Sequence, residues 1–295
     1  MSVVRDERLV RPDGRIVGWS ECAVADGRPV VRLPGTPGSR FNLPADLGPW
    51  LERGLRLIAI ERPGFGVSTR LRGRGFAEHA DDVVAVLDRL GLDRVPLFGG
   101  SGAAPHVLAV AARHPDRVSA ATIVAGAAPL TDDELDAEIG FDRRADRLAR
   151  ERNLVGLRAM FAAARDDVLA APVEGLRRLM DDAPAADQAV MASEEWQSAM
   201  PSGVAEALRE GVDGWVDEAL ALHGDWADIE LDRIATSLTW WHAGGDEHCP
   251  VSAARRLVAR IPGARLVEWP VGGHYAGYAD EGALLDELLA RARRA

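Results

Sequence analysis

Between residues 55 and 126 the hydrophobic period of the chain switches repeatedly, and this restricts the fold more than any other feature. Three short apolar runs, LRLIAIE (55–61), RVPLFG (94–99) and VSAATIVAG (118–126), are separated by two segments of helical spacing. In the first of these, FAEHADDVVAVLDRLGL (76–92), Val83, Val84, Leu87 and Leu90 recur at helical intervals and Gly91 marks the stop. The second, APHVLAVAARHPD (104–116), closes at His114-Pro115. Apolar strands alternating with helices imply a parallel sheet covered on both faces. The alternation resumes late, with SLTWWHAG, the helix SAARRLVARI, the strand ARLVEWP and the helix GALLDELLARARR.

The N-terminal segment ERLVRPDGRIVGWSECAVADGRPVVRL reads instead as three strands parted by Asp-Gly turns. Residues 131–231 are acidic and arginine-rich, helical in pattern and without a convincing strand. The expected architecture is therefore an α/β core built from residues 1–130 and 232–295, interrupted by a helical insertion over 131–231. The sheet is expected to be mostly parallel, with antiparallel strands at its N-terminal side and helices on both faces.

Composition narrows the function. A net charge of −11 disfavours nucleic acid and anionic membrane surfaces as partners. No apolar run approaches the length of a bilayer span, and MSVVRDERLVRPDGR lacks the apolar centre of a signal peptide. Two cysteines, Cys22 and Cys249, fit a reducing compartment. The expectation is a cytoplasmic protein acting on a small molecule, as a monomer or homodimer.

The stretch PLFGGSGAAPHVLA (96–109) places Ser101 between glycines at a strand-to-helix turn. In the pattern Gly-x-Ser-x-Gly, glycines let the backbone turn sharply and project the serine hydroxyl at the carboxyl edge of a sheet. Here the fifth position is Ala103, which adds one methyl group where helix and strand pack closely. A serine nucleophile needs a base, and the base an orienting acid, in the chain order Ser, Asp or Glu, His. WWHAGGDEHCPVS carries Asp246 on a loop leaving a strand, and EWPVGGHYAGY carries His274 on the next.

With these blocks the chain resembles the α/β-hydrolase superfamily, in particular its cap-bearing serine esterases and proline-iminopeptidase-like members. The resemblance spans residues 15–130 and 232–295. LPGTPGSR (33–40) looks like the family's oxyanion loop and ERPGFGVS (61–68) like its Asp-Arg-Pro-Gly-x-Gly-x-Ser block. GGSGAAP resembles the elbow, GGDEHCP the acid loop and PVGGH the histidine loop. The resemblance implies Ser101 as nucleophile, Asp246 as acid and His274 as base, with the backbone N–H groups of Thr36 and Gly102 as the oxyanion hole. Pro34, Ala103 and Ala243 depart from the family pattern, and none of them removes a catalytic side chain.

Other residues compete for these roles. Glu247 is a rival acid, but Pro250 lies four residues after Asp246, as in the family. His242, Asp246, His248 and Cys249 have metal-ligand chemistry without a zinc signature, so no metal and no cofactor are expected. His106 and His114 read as structural or surface groups, Arg62 as support for its loop, and Ser39 and Ser68 as loop residues. Substrate choice is assigned to the insertion, where Trp196, Met200, Trp215 and Trp226 either line a pocket or pack the insertion onto the core.

These residues imply hydrolysis of an ester or related acyl bond through an acyl-enzyme. A carboxylate nucleophile, as in epoxide hydrolases, is not indicated. The enzymatic alternative is a proline-iminopeptidase-like aminopeptidase, for which Glu194 and Glu195 supply acidic groups. Acyl transfer to an alcohol or amine uses the same residues. The alternative of another class is a non-catalytic ligand-binding protein on the same fold.

Overall fold

The computed structural model describes residues 5–44, 46–136, 140–224 and 226–294. Residues 1–4, at the head of the expected core segment, and 137–139, within the expected helical insertion, lie outside the described residues. The strands are β1 (Arg5–Val10), β2 (Ile16–Ala23), β3 (Arg28–Leu33), β4 (Leu55–Ile60), β5 (Val95–Gly100), β6 (Val118–Val124), β7 (Leu238–Ala243) and β8 (Arg265–Trp269). They form one eight-stranded sheet in the order β1-β2-β4-β3-β5-β6-β7-β8. β1 and β2, and β2 and β4, pair antiparallel; every later pair is parallel.

The apolar runs are continuous because both sheet faces are covered. On β3 and β4, Val30, Leu55, Leu57 and Ala59 face one layer, and Val31, Ile58 and Ile60 face the other. The first layer is made by α1 (Gly48–Glu52) and α12 (Glu281–Ala292), which contribute Trp50, Leu284, Leu285, Leu288 and Leu289. The second is made by α2 (Ala77–Leu90), α3 (Ala104–Arg113) and α11 (Val251–Val258). Helix α2 stops where expected: Gly91 has φ 65°, a left-handed C-cap that costs glycine little.

Between β6 and β7 the chain forms α4 (Asp132–Asp136), α5 (Gly140–Arg150), α6 (Leu154–Ala170), α7 (Pro172–Leu179), α8 (Ala185–Met191), α9 (Glu194–Ala207) and α10 (Asp213–Leu222). These helices share a core that includes Leu157, Phe161, Trp196 and Trp215 and that Phe65 and Tyr275 join from outside the segment. Phe161 and Trp215 stack with ring centroids 4.1 Å apart. Among the described residues no helix is long and apolar enough to cross a membrane.

Candidate active site

Ser101 is the first residue of a short 3-10 turn, Ser101–Ala103, where extended β5 runs into α3. Its φ of 54° lies in the left-handed region, uncommon for a residue with a Cβ and a mark of local strain at a sharp turn. The neighbouring glycines make that turn possible. A Cβ on Gly99 would fall 2.7 Å from Val107 Cγ2 and 3.1 Å from Ala103 Cβ. The methyl of Ala103, fully buried, is thus accommodated because Gly99 has no side chain. A Cβ on Gly102 would fall 2.2 Å from Thr36 Oγ1, so glycine there is what lets the 34–37 loop approach Ser101.

Gly102 is the second residue of its turn, where a backbone N–H has no partner within the helix. The 34–37 loop beside it is held by Arg62, whose buried guanidinium donates to the carbonyls of Pro34 and Gly35 and, at 3.1 Å, to Thr36 Oγ1. Arg62 thus supports the neighbouring 34–37 loop, beyond its own. The Thr36 hydroxyl donates in turn to Glu218 of α10, also at 3.1 Å. Glu218 is fully buried, accepts from His106 at 3.0 Å, and pairs with Arg62 at 3.3 Å and with Arg74.

Asp246 leaves the end of β7 and is buried, whereas Glu247, the rival acid, is exposed. Asp246 Oδ1 accepts from the backbone N–H groups of His248 and Cys249, at 3.0 and 2.8 Å. Asp246 Oδ2 accepts from His274 Nδ1 at 2.9 Å. This bond selects the tautomer that leaves His274 Nε2 for the cavity. Burial alone would raise the Asp246 pKa. The charge of His274 and hydrogen bonds from His242 and His274 outweigh it and hold the carboxyl below the usual carboxylate range. Burial opposes charge on His274, but Asp246 and the neighbouring Cys249 lift the imidazole well above its ordinary value.

Ser101 and His274 line one cavity of about 410 Å³. Among the described residues the His274 ring is hydrogen-bonded to Asp246 and not to Ser101. A second chamber of about 170 Å³ meets Ser101 from the side of Gly102. Met200 lines the larger cavity, Trp215 both, and Trp226 the smaller. Trp196 does not belong with them. Its indole is fully buried in the core of the insertion, edge-on to Tyr275 with centroids 6.0 Å apart, because its side of α9 faces helices and not the cavity. Glu195 reaches the larger cavity; Glu194 is not among its lining residues.

Of the histidines with metal-ligand chemistry, His242 has both ring nitrogens engaged: its Nε2 lies 2.6 Å from the carbonyl of Cys249 and 3.3 Å from Asp246 Oδ2, and its Nδ1 accepts from Trp240. His248 Nδ1 pairs with Asp142 at 2.9 Å. Donor atoms of Asp246, Cys249 and His274 lie within 4.8 Å of one another. A cation could use that set only by disturbing the Asp246–His274 hydrogen bond.

A family model of the α/β-hydrolase fold matches residues 28–280. The chain belongs to the α/β-hydrolase fold family. It is 27% identical to a non-heme haloperoxidase of Rhodococcus erythropolis over 257 residues, 84% of this chain and 86% of the relative. It is 24% identical to a bifunctional esterase/perhydrolase of Acinetobacter calcoaceticus, across 94% and 96% of the two chains. An esterase from Exiguobacterium antarcticum superposes with a TM-score of 0.69 at 20% identity, covering 98% of this chain and all of that one. These relatives share the α/β-hydrolase fold with this chain.

Two side chains of this α/β hydrolase carried no signal in the sequence. Asp187, on α8 and 1% exposed, accepts the backbone N–H groups of His274 and Tyr275, both at 2.8 Å. A Cβ on Gly273 would come within 2.1 Å of Asp187 Oδ2, so the glycine before the histidine makes room for this contact. Glu218 is the other. The insertion thus sends one buried carboxylate to the loop of His274 and a second to the loop of Thr36.

Proposed function

We propose that this chain is a serine hydrolase that cleaves an ester or related acyl bond of a small molecule, with residues 131–231 acting as a cap over the site. The observation that carries the reading is the Asp246–His274 hydrogen bond at Nδ1, on the wall of the cavity that Ser101 enters from a strained turn. His274 Nε2 takes the proton of Ser101 as its oxygen attacks the carbonyl carbon. Asp246 holds the imidazole and stabilises its cation. The N–H groups of Thr36 and Gly102 receive the developing oxyanion, where loss of one donor in such a site costs about 2.7–4 kcal/mol. His274 then protonates the leaving group, and a water activated by the same imidazole releases the acid from Ser101. The esterase and esterase/perhydrolase names among its relatives agree with this chemistry.

Labelling with a fluorophosphonate, followed by peptide mass spectrometry, tests the reading. One adduct per chain on Ser101 is expected, lost in Ser101→Ala and strongly slowed in His274→Ala. Folded protein that takes no label overturns it and favours a ligand-binding role. Glu195 on the cavity wall supports a second reading, an aminopeptidase that pairs this carboxylate with a free α-amino group. That reading requires cleavage of amino-acid anilides that stops when the amine is acylated.

A further inference from the structure

Ser101 stands between the two chambers, and they differ in the groups that direct acyl chemistry. Both are bounded by Thr36, Ser101 and Trp215. His274 lines the larger chamber and not the smaller; Gly102 lines the smaller and not the larger. A carbonyl carbon bonded to Ser101 Oγ carries three further substituents: the oxyanion, the leaving group and the acyl chain. The leaving atom takes its proton from His274, so it lies on the side of the larger chamber. The acyl chain is then directed into the smaller one.

We infer, on the serine-hydrolase reading above, that the substrate joins a short apolar acyl group, no larger than one six-membered ring, to a larger alcohol or amine. The smaller chamber measures about 170 Å³ and is walled by Ala128, Leu135, Ala219, Leu222 and Trp226. An apolar cavity of about 150 Å³ holds one benzene, which sets the scale. Ala128 and Leu135 are 8% and 7% exposed, so neither wall retreats into solvent. The charged side chains at this chamber are ion-paired, Asp146 at 2.5 Å from both Arg143 and His223 and Asp142 at 2.9 Å from His248. None presents an unpaired charge to an acyl chain, although Arg143 Nε and His248 Nε2 keep a polar atom without a partner. The larger chamber, about 410 Å³, combines Phe98, Met200 and Leu284 with the Arg32–Glu281 ion pair at 2.8 Å. It is within the size range of pockets that enclose drug-sized molecules, and it admits a leaving group with polar parts.

Two ester series on the full-length protein test the assignment, one varying the acid of 4-nitrophenyl esters and one varying the alcohol of butanoate esters. Butanoyl and benzoyl esters should be hydrolysed well, and decanoyl esters about a hundredfold less efficiently in kcat/KM. Ala128→Phe should lower the benzoyl-to-acetyl ratio of kcat/KM by roughly fiftyfold without changing the ranking of alcohols. Leu135→Ala, which removes bulk and does not depend on the first variant folding, should raise the octanoyl-to-butanoyl ratio about tenfold. Equal use of decanoyl and butanoyl esters overturns the inference. So does a change confined to the alcohol series in either variant, which would exchange the two chambers. If no ester is turned over and no fluorophosphonate adduct forms on Ser101, the serine-hydrolase reading has itself fallen; an adduct with the wrong acyl preference removes only the chamber assignment.

Discussion

Asp246 and Glu218 are both buried carboxylates bonded to a histidine, 5% and 0% exposed, yet their histidines are driven in opposite directions. Asp246 meets two backbone N–H groups and two imidazoles, and the charge that answers it best is the one His274 acquires. Glu218 already faces the guanidinium groups of Arg62 and Arg74. A further cation beside it gains little, and burial pushes His106 down to about 4 despite the carboxylate. The tautomers follow. Neutral His106 donates from Nε2 to Glu218, its Nδ1 accepts from His79 Nδ1 at 3.0 Å, and His79 Nε2 is left as a bare buried lone pair. On the serine-hydrolase reading, a carboxylate–histidine pair therefore serves as a base or as a brace according to how far the carboxylate is neutralised by other groups, and whether the ring reaches a cavity.

The comparison breaks most visibly by removing each carboxylate's charge while keeping its shape. Asp246→Asn should lower kcat for ester hydrolysis about a thousand- to ten-thousandfold, because the amide favours the wrong tautomer of His274. A loss of less than about tenfold would remove Asp246 from the role of orienting acid. Glu218→Gln should act first on stability. It leaves Arg62 and Arg74 buried without their carboxylate, a change that costs about 3–5 kcal/mol. A melting temperature lowered by roughly 10 °C is expected, and a shift under about 2 °C would show that the brace reading is wrong.

Strands, turns and the order Ser101, Asp246, His274 were legible because each rests on local chemistry. Leu57 and Ile58 read as one apolar run because both faces of their strand are covered. Asp246 and His274 stand on loops leaving β7 and β8, so strand ends alone place them at one edge. The braces were illegible for the opposite reason. Glu218 meets Thr36 across 182 residues of chain and Asp187 meets His274 across 87, and neither carries a local pattern. Trp196 shows a different limit. Helical spacing marks an apolar side chain without saying whether the covering surface is a cavity or packed side chains, and here it is a cluster of helix side chains closed by Tyr275.

pH separates the two histidines further. His106 is neutral in the fold down to about pH 4, while an unfolded chain protonates it near 6.5. The unfolded state therefore binds more protons between these values, and stability intact above pH 6.5 falls as pH drops towards 4, by roughly 3 kcal/mol. His79, also held well below 6.5, adds to the same trend. His274 has the opposite sign: raised in the fold, it contributes stability below pH 6.5 that is lost as pH climbs through its folded value. As the base must be neutral, kcat/KM should rise with pH through that same value, above 6.5, while the contribution of His274 to stability declines. Urea titrations and a pH–rate profile measure the two. An activity limb centred below pH 6 would mean that Asp246 does not raise His274.

The smallest effect tests whether the brace reaches the chemistry. Thr36→Val keeps the backbone N–H proposed for the oxyanion hole and removes only the hydroxyl that links Arg62 to Glu218. One neutral-to-charged hydrogen bond of this kind is worth about 1.5–3 kcal/mol, part of which the two ions recover by pairing with each other. Stability should therefore fall by about 1 kcal/mol, and kcat by several-fold as the loop carrying the N–H loosens. A purely structural brace would lower the melting temperature and leave kcat at saturating ester unchanged. A loop held for catalysis would lower kcat more than KM, and Thr36→Ser, which restores the hydroxyl, would recover the rate. That recovery separates a hydroxyl that positions the oxyanion loop from one that only fills space between Arg62 and Glu218.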